Sequence, residues 1–466
     1  MTDRRSDAYH MSSRHTEPAP RCCAVCPTFS LDAGIAETDI RLVETQLKGT
    51  GNANAVFGTT HGGIVARCRL HGSSKTRAED EGREDRHQRL AALEKRVWSR
   101  RNLVFTGDPA DDQLRYRSCI VAPFLGIQYL PLAARLGNAA FRAPAQHPSV
   151  HDLVATDGAI LMADGTLLAG MPKEGVVCIE IKPKFGSTVR CETVPARLRH
   201  LKHSISRYQL HQSLKLEQGL IDRRSAYDPS DLFSNDPNRM KKAIDALIDC
   251  PQNNLALFLA GNRVPCEEMA RRLDEACELL ERVDTSHLVS TIQGILAYEG
   301  ILNDILRMQT LCEHDVQAVE ALLRQMTVAG PWGDGGCLGR RGAEDDGADD
   351  SDGYLGLFLD KMARAGESAR LDLLADYCIA TTAKDCSILV AMASSNNKLT
   401  ESSTSSARST YDASHDAPVK QGLRPCELGS FGGVCYRVTV VDLDCKSLRK
   451  LEGHKRLDED IIRANL

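Results

Sequence analysis

The chain has 466 residues, of which 42% are hydrophobic and 26% are charged, and its formal net charge is -5. This is the composition of a globular protein, and by the usual domain size the length is enough for about two or three units with their own cores. The net charge argues against a general nucleic-acid-binding protein, because such domains are normally basic. No apolar run in the sequence approaches the roughly 20 residues that cross a bilayer.

The first residues are polar and contain no apolar core, so we expect no secretory signal. Residues 1–39 are predicted to be a disordered tail. The 17 cysteines lie mostly in apolar runs, which predicts reduced core thiols in a cytoplasmic or nuclear protein. Cys23 and Cys26 are spaced like half of a zinc knuckle, but no second pair follows at the spacing of a zinc finger.

Residues 40–164 are predicted to form a strand-rich N-lobe. The short apolar runs VARCRL, SCIVAPFLGIQYL and GAILMADG are interpreted as its strands, and a charged segment between Gly72 and Arg101 as an exposed, inserted helix. Before the first run stands GTGNANAV, whose small residues would let backbone N–H groups approach a phosphate. An ordinary hairpin turn is the alternative. Arg67, on the next strand, adds the cation that follows the glycine loop in kinases.

Residues 165–466 are predicted to form a larger, helix-rich C-lobe, which gives a two-lobed α+β protein with a cleft between the lobes. Helical patterns dominate residues 195–330, and a helix after residue 370 precedes two strands, CSILVAMAS and VCYRVTVVDLD. Two low-complexity segments, at about 333–353 and 394–422, cannot bury enough apolar surface to offset the entropy cost of ordering. We predict that both are mobile insertions.

The stretch EIKPKFG, residues 180–186, ends a predicted buried strand with an acid and two lysines. Pro183 cannot donate to a ladder and restricts the residue before it, so the strand stops there. Lys182 and Lys184 are then directed by a stiff backbone. They are either solvated charges at a strand exit or part of an anion site.

Cationic residues recur every four positions in two places, which predicts cationic faces on two helices. Like charges at this spacing repel each other unless something neutralises them. The faces are therefore either solvated stripes or parts of a site for a bound anion. The residues are His203, Arg207, His211 and Lys215 in the first place, and Lys446, Lys450 and His454 in the second.

Two aspartates lie at strand ends. Asp385 precedes the strand SILVAMA, and Asp442 follows VCYRVTVV. A strand-end aspartate alone is more often a cap or a turn former, but this is also where phosphoryl-transfer enzymes hold a metal. The combination of a glycine loop, the lysines of EIKPK, two cationic faces and two aspartates favours a kinase that acts on a heavily phosphorylated substrate.

At this point the sequence resembles the inositol-pentakisphosphate 2-kinase family. The blocks that carry the resemblance occur in the family's order from about residue 40 to residue 466, and EIKPK is the family's signature. They are GTGNANAV, VARCRL, APFLGIQYL, EIKPKFG, SRYQLHQSLK, YDPSDLFSNDPNRMKKAIDALIDCPQNNL, ATTAKDCSIL and VVDLDCKSL. The resemblance implies a two-lobed, kinase-like α+β fold. It also implies transfer of the ATP γ-phosphate, with Mg²⁺, to the 2-hydroxyl of inositol 1,3,4,5,6-pentakisphosphate, which gives inositol hexakisphosphate (phytate).

The resemblance further implies roles for single residues. Lys182 would bridge the transferred phosphate and the substrate, Asp385 would be the catalytic base, and Asp442 would hold magnesium. The residues expected to bind the nucleotide and its metal are Gly51, Asn52, Ala53, Asn54, Arg67, Met162, Asp164, Glu180 and Asp442; Met162–Asp164 resembles the interlobe hinge that meets adenine. Those expected to bind the inositol phosphate are Lys182, Lys184, Arg207, His211, Lys215, Asn253, Lys446, Lys450 and His454.

Three residues depart from the family's pattern. Ala256 stands where the family often has arginine, Lys450 replaces an arginine and so lacks its bidentate fork, and His454 stands where tyrosine is common. We expect a monomer that binds neither nucleic acid nor membrane. A non-catalytic scaffold that binds inositol polyphosphates is the alternative, and the presence of both Asp385 and Asp442 favours the enzyme.

Overall fold

The computed structural model describes residues 42–50, 54–59, 63–70, 81–136, 154–328, 353–397 and 428–466. The predicted tail, most of both predicted insertions, the Cys23/Cys26 pair and Gly51 to Ala53 of the glycine-rich segment lie outside these ranges. The described residues have an α+β architecture with two antiparallel sheets.

The first sheet contains five strands in the order β1-β2-β3-β5-β4. The elements of this part of the chain are β1 Leu42–Thr50, β2 Asn54–Thr59, β3 Ile64–Leu70, α1 Glu81–Arg100, α2 Pro109–Tyr116, α3 Ala122–Leu125, β4 Ala133–Leu136 and β5 Val154–Ala163. β3 is the central strand, and it pairs Arg67 with Val56 on β2 and Ile160 on β5. The strands VARCRL and GAILMADG are confirmed.

The prediction that SCIVAPFLGIQYL is a strand was wrong, because this segment is helical. Residues Arg117–Val121 form a π-helical turn that continues into α3, and Ile127–Tyr129 form a 3-10 turn. Gly126, at φ 89°, separates the two turns. The apolar residues of this helical segment enter the main core. Its helix α3 packs against α10, the helix Ile301–Gln309. Burial against a helix thus outweighs the strand propensity of the β-branched residues.

The charged segment before Arg101 does form a helix, α1, but it is not merely an exposed insertion. Leu90, Leu93, Val97 and Trp98 are buried in the main core. They recur at helical spacing and form one apolar face, which packs against α12, the helix Tyr354–Lys384.

The second sheet contains six strands in the order β10-β11-β9-β6-β7-β8. The remaining elements are β6 Val177–Ile181, α4 Arg199–Lys202, α5 Arg207–Glu217, α6 Pro229–Leu232, α7 Pro237–Asp249, β7 Leu255–Leu259, β8 Asn262–Arg263, α8 Met269–Leu279, α9 Thr285–Glu299, α11 Val316–Val328, β9 Ser387–Ser394, β10 Gly429–Phe431, β11 Val434–Val441 and α13 Leu451–Arg463. The predicted strands CSILVAMAS and VCYRVTVVDLD are confirmed as β9 and β11.

The middle strands of this sheet are covered on both faces, which explains their uninterrupted apolar sequences. On β6, Val177, Ile179 and Ile181 point into the main core. Cys178 points to the opposite face, where a smaller core contains Ala256 and residues of β9. As predicted, β6 ends at Ile181, so the lysines follow directly after the buried strand.

The ends of the helices follow from local chemistry. Asp236 accepts hydrogen bonds from the N–H groups of Asn238 and Arg239 at the start of α7, where Pro237 is the first helical residue. α9 ends at Gly300, which is in the left-handed conformation with φ 66°. Among the described residues, no helix combines the length and the apolarity needed to span a bilayer.

Candidate active site

The turn after β6 is fixed by main-chain contacts. The Lys182 N–H donates to the carbonyl of Asn254 at 2.8 Å, and the Tyr227 hydroxyl donates to the carbonyl of Pro183 at 2.8 Å. Lys184 has a φ of 59°, which is uncommon for a residue with a side chain. At Gly186 a Cβ atom would come within 2.2 Å of the Phe233 ring, so only glycine fits there. The two lysines are therefore held in defined positions.

Asp385 lies between α12 and β9, beside two of the predicted substrate lysines. Its Oδ2 accepts from Lys446 Nζ at 2.8 Å, and its Oδ1 lies 3.7 Å from Lys184 Nζ. Burial opposes the charged form of this carboxyl, but Lys446, Lys184 and Lys182 outweigh it and hold the pKa of Asp385 below its usual value. Asp385 is therefore ionised at neutral pH, and it is in position to accept a proton from a nearby hydroxyl.

Asp442 and Arg67 come together from the two sheets. Asp442 follows β11 with a φ of 60°, and its Oδ2 accepts from the Ser387 hydroxyl at 3.1 Å. Its Oδ1 lies 3.6 Å from the Arg67 guanidinium. Arg67 in turn donates two hydrogen bonds to Asp444, at 2.6 and 2.7 Å. The prediction missed Asp444 as the partner of Arg67; the only signal was a second acid two residues after Asp442.

The first predicted cationic face is correct from Arg207 onward and wrong for His203. Ser206 caps the start of α5 and accepts from the Gln209 N–H at 3.3 Å. Arg207, His211 and Lys215 therefore share one face of α5. His203 belongs to the preceding segment, where it ends α4.

The second predicted cationic face does not lie on one helix. Lys446 is in the irregular segment after β11, and Lys450 immediately precedes α13, so only His454 is inside that helix. The Ser447 hydroxyl accepts from the Arg449 N–H at 3.2 Å and caps a short 3-10 turn. This cap breaks the helical repeat that the spacing suggested.

The cations from these segments nevertheless act on each other. Burial, followed by Arg207, Lys215 and Lys184, lowers the pKa of His211 to about 4. Burial, followed by Lys184, lowers the pKa of Lys215. Burial also lowers the pKa of Lys184, where Asp385 opposes the shift and Lys182 adds to it. His211 is therefore neutral at pH 7, in a region where positive charge accumulates.

His454 on α13 is affected by the same accumulation of positive charge. Burial, followed by Arg207, Lys446 and Lys450, lowers its pKa to about 4. Its Nδ1 lies 3.0 Å from the hydroxyl of Tyr377, which can donate to the neutral ring. Arg207 thus lies close to both groups of cations. The structure brings the predicted substrate residues of α5, of EIKPK and of the segment after β11 into one charged region.

Residues at the edge of this region are placed as follows. Asn253 is exposed and precedes Asn254, whose carbonyl accepts from Lys182. Glu180 lies 3.8 Å from Lys182 Nζ and is paired in register with Ala256 on β7. Lys384, which the sequence reasoning missed, places its ammonium 4.2 Å from the centre of the Phe185 ring.

The predicted nucleotide residues are only partly described. Thr50 pairs with Ala55 across β1 and β2, so the strands that flank the glycine-rich segment are antiparallel neighbours. Asn54 is the first residue of β2. Met162 lies on β5, and the Asp164 N–H donates to the carbonyl of Gly63 at 2.8 Å. The chain passes from the first sheet to the second directly after this point.

Comparison with known proteins gives consistent results. The model of the family described as inositol-pentakisphosphate 2-kinase matches residues 48–460. An inositol-pentakisphosphate 2-kinase of Oryza sativa subsp. indica is 28% identical over 318 residues, which is 66% of this chain and 64% of the rice protein. An inositol-pentakisphosphate 2-kinase of Arabidopsis thaliana is 25% identical over 448 residues, which covers 89% of this chain and 91% of that protein.

A further relative with the same name, from Drosophila melanogaster, is 51% identical over a short stretch of 53 residues. The family match extends from the last residues of β1 to α13 and includes every described residue of the charged region. The chain belongs to the inositol-pentakisphosphate 2-kinase family.

Proposed function

We propose that this protein transfers the γ-phosphate of ATP to the 2-hydroxyl of inositol 1,3,4,5,6-pentakisphosphate and so makes phytate. The family match and the names of the relatives support this reaction. The observation that carries it is the position of Asp385, an ionised carboxylate 2.8 Å from Lys446 and 3.7 Å from Lys184. An ionised carboxylate beside the cations that would bind the substrate phosphates can act as a general base toward the acceptor hydroxyl.

The charge of the site fits a highly phosphorylated substrate. A phosphomonoester carries about -1.5 to -2 charges near neutral pH, so five of them bring roughly -8 to -10. The proposed substrate site supplies six lysine and arginine side chains, and bound phosphate would raise the pKa values of His211 and His454 and so add positive charge to the site. The six are Lys182, Lys184, Arg207, Lys215, Lys446 and Lys450.

The nucleotide would bind at the first sheet. In the proposed arrangement, residues 40–164 form the N-lobe of a kinase-like fold and residues 165–466 form the C-lobe. Residues 51–54 and Arg67 would contact the ATP phosphates, and Met162–Asp164 would meet adenine as the link between the lobes. Glu180, next to Lys182, would face the nucleotide side.

Asp442 fits the role of a magnesium ligand. Its side chain is 44% exposed; Oδ2 accepts from the Ser387 hydroxyl, and Oδ1 lies 3.6 Å from the Arg67 guanidinium. Mg²⁺ is usually held by one or two carboxylates together with substrate phosphates and water. In the part of the chain that the structure describes, no group of three or more His, Cys, Asp or Glu side chains that could hold a metal ion is found. The bound metal would neutralise charge on the transferred phosphate.

Side chains of this protein would orient the two substrates and remove the proton of the acceptor hydroxyl. Lys182 would orient the transferred phosphate toward the acceptor, while the residues of α5 and of the segment after β11 hold the inositol phosphates. Asp385 would align the 2-hydroxyl and take its proton as the hydroxyl oxygen bonds to the γ-phosphorus and the bond from that phosphorus to ADP breaks.

One assay tests the proposal directly. Purified protein is incubated with ATP, Mg²⁺ and inositol 1,3,4,5,6-pentakisphosphate, and the products are separated by anion exchange. We expect inositol hexakisphosphate in amounts equal to the ADP released. Tight binding of the pentakisphosphate without any product would instead identify the protein as an inositol-polyphosphate-binding scaffold.

Asp442→Asn is expected to lower kcat, and raising the Mg²⁺ concentration should partly restore it. An amide is a weaker ligand than a carboxylate, so the variant should need more metal, while the substrate cations remain intact. The measurement is kcat as a function of Mg²⁺ concentration at saturating ATP, with pentakisphosphate binding followed in parallel. A loss that does not respond to Mg²⁺ in a folded variant would contradict the assignment.

Lys184→Ala and Lys215→Ala are each expected to raise the KM for the pentakisphosphate strongly and to flatten its dependence on salt. Each removes a cation whose attraction to phosphate is screened by ions over about 8 Å at physiological ionic strength. The matched control is Lys241→Ala, which removes an exposed lysine of α7 that pairs with Asp245 at 2.8 Å. Normal KM values and salt dependence in both site variants would show that these lysines do not bind the substrate.

A further inference from the structure

Gln309, the last residue of α10, joins two segments of the candidate active site. Its side chain is fully buried, and its amide bonds with three main-chain groups. The Oε1 atom accepts from the Gly186 N–H at 3.0 Å, while Nε2 donates to the carbonyls of Lys184 at 2.7 Å and Ala383 at 3.1 Å. Both N–H bonds of the amide are therefore used. One partner segment carries Lys184 and the other leads into Asp385.

Each of these segments needs a partner from outside itself. Lys184 has a φ of 59°, and a residue with a side chain stays in this region only when its surroundings hold it there. Ala383 is in the last turn of α12, where the carbonyl groups find no N–H donor within the helix. Gln309 supplies hydrogen bonds to both segments from a single rigid position in the core.

The two segments that Gln309 joins bring the side chains of Lys184 and Asp385 close together. Lys184 Nζ and Asp385 Oδ1 are 3.7 Å apart, although their segments are far apart in the sequence. The β6–β9 ladder pairs Ile181 with Ile388, each three residues from one of these side chains. Beyond the end of that ladder, Lys384 contacts the Phe185 ring at 4.2 Å. Ring contacts of this kind tolerate sliding, whereas three hydrogen bonds to one amide fix distance and direction.

We propose that Gln309 is a positioning residue that sets the spacing between Lys184 and Asp385 through main-chain hydrogen bonds, without touching the substrate. The inference rests on the proposed kinase function. It adds that the reaction requires a buried residue outside the charged region. A displacement of about 1 Å at a reacting centre can lower the rate about 100-fold. Loss of the amide should therefore reduce turnover far more than its effect on folding would explain.

The test is a double-mutant cycle that uses kcat/KM for the pentakisphosphate. Gln309→Leu and Gln309→Glu are made in the wild type, in Lys184→Ala and in Lys450→Ala. We expect a loss of tenfold or more in the wild type and in Lys450→Ala. In Lys184→Ala the loss should be at least threefold smaller, because one of the two positioned side chains is already absent. Gln309→Glu retains the size and the acceptor, so it serves if Gln309→Leu does not fold.

The control is Ile305→Ala, one turn earlier on α10. Ile305 is fully buried in the same core and makes no side-chain hydrogen bond, so its truncation lowers Tm by leaving a cavity. Below both transitions it should keep kcat/KM within threefold of the wild type. An equal loss in Ile305→Ala at a similar Tm, or equal losses for Gln309→Leu in both lysine backgrounds, would overturn the inference. A wild type that makes no phytate would instead overturn the proposed function.

Discussion

Asp385→Asn is expected to lower kcat by a factor of about 10² to 10⁴, the range that general acid–base catalysis contributes. The amide keeps the size of the carboxylate and can still accept from Lys446, but it cannot take the proton of the acceptor hydroxyl. Binding of the pentakisphosphate should remain close to that of the wild type, because the lysines and arginine of the proposed substrate site would supply the attraction. The measurements are single-turnover rates and calorimetric binding of the pentakisphosphate.

A surface aspartate on the same helix provides the control for this prediction. Asp372 pairs with Arg100 at 3.0 Å on the exposed side of α12. Asp372→Asn should leave both turnover and binding unchanged, since exposed pairs contribute little. If Asp385→Asn kept more than about a tenth of the wild-type kcat, Asp385 could not be the base.

The largest expected loss of stability follows from Lys202→Met. Lys202 is buried between Asp315 and Asp458, at 2.5 and 2.7 Å from their oxygens. Burial opposes the charge on Lys202, yet these two acids raise its pKa. Removing the lysine leaves the buried Asp315 without this cation, while Asp458 keeps Arg207 at 3.5 Å. Breaking such a buried pair costs about 3–5 kcal/mol. Urea unfolding of the variant and of the wild type would measure the difference.

Lys241→Met is the matched control for Lys202→Met. Its i,i+4 pair with Asp245 lies on the surface of α7, so the expected loss is at most about 0.5 kcal/mol. Equal effects of the two substitutions would contradict a special role for the buried group.

The loss in Lys202→Met should also depend on pH. Burial raises the pKa of Asp315 in the folded protein. A carboxyl whose folded pKa is raised favours the folded state at low pH and loses this contribution as pH rises through that pKa. Without Lys202 the shift grows, so the free-energy deficit should be larger at neutral pH than near the ordinary aspartate pKa of about 4. A deficit that shrank toward neutral pH would have the wrong sign.

Much of the fold could be predicted from local patterns. β9 and β11 have long apolar sequences, and Pro183 marks the end of β6, so these elements follow from the chain itself. The segment around Ile120 and Val121 could not be predicted in this way, because burial against α10 decides its helical conformation. In the same way, the caps at Ser206 and Ser447 decide which of the cations spaced four residues apart lie on the same helix.

The candidate site could be predicted less completely, because several of its contacts join distant parts of the chain. Arg67 and Asp444 are 377 residues apart, and the only local signal is that a second acid follows Asp442 by two residues. The same holds for Gln309, which looks like an ordinary helical residue until its three main-chain partners are known. Residue types and motifs indicated the chemistry, and the folded chain supplied the spacing between the groups.

The contacts of Asp385 imply that its proton affinity depends on what fills the site. Lys446 and Lys184 lower its pKa in the structure, and the same lysines belong to the proposed phosphate-binding set. A polyanion that drew these ammonium groups toward its phosphates would weaken their hold on the carboxylate and add negative charge nearby. Both changes would raise the pKa of Asp385. The base would thus become stronger as the acceptor hydroxyl arrives and would stay weak in an empty site.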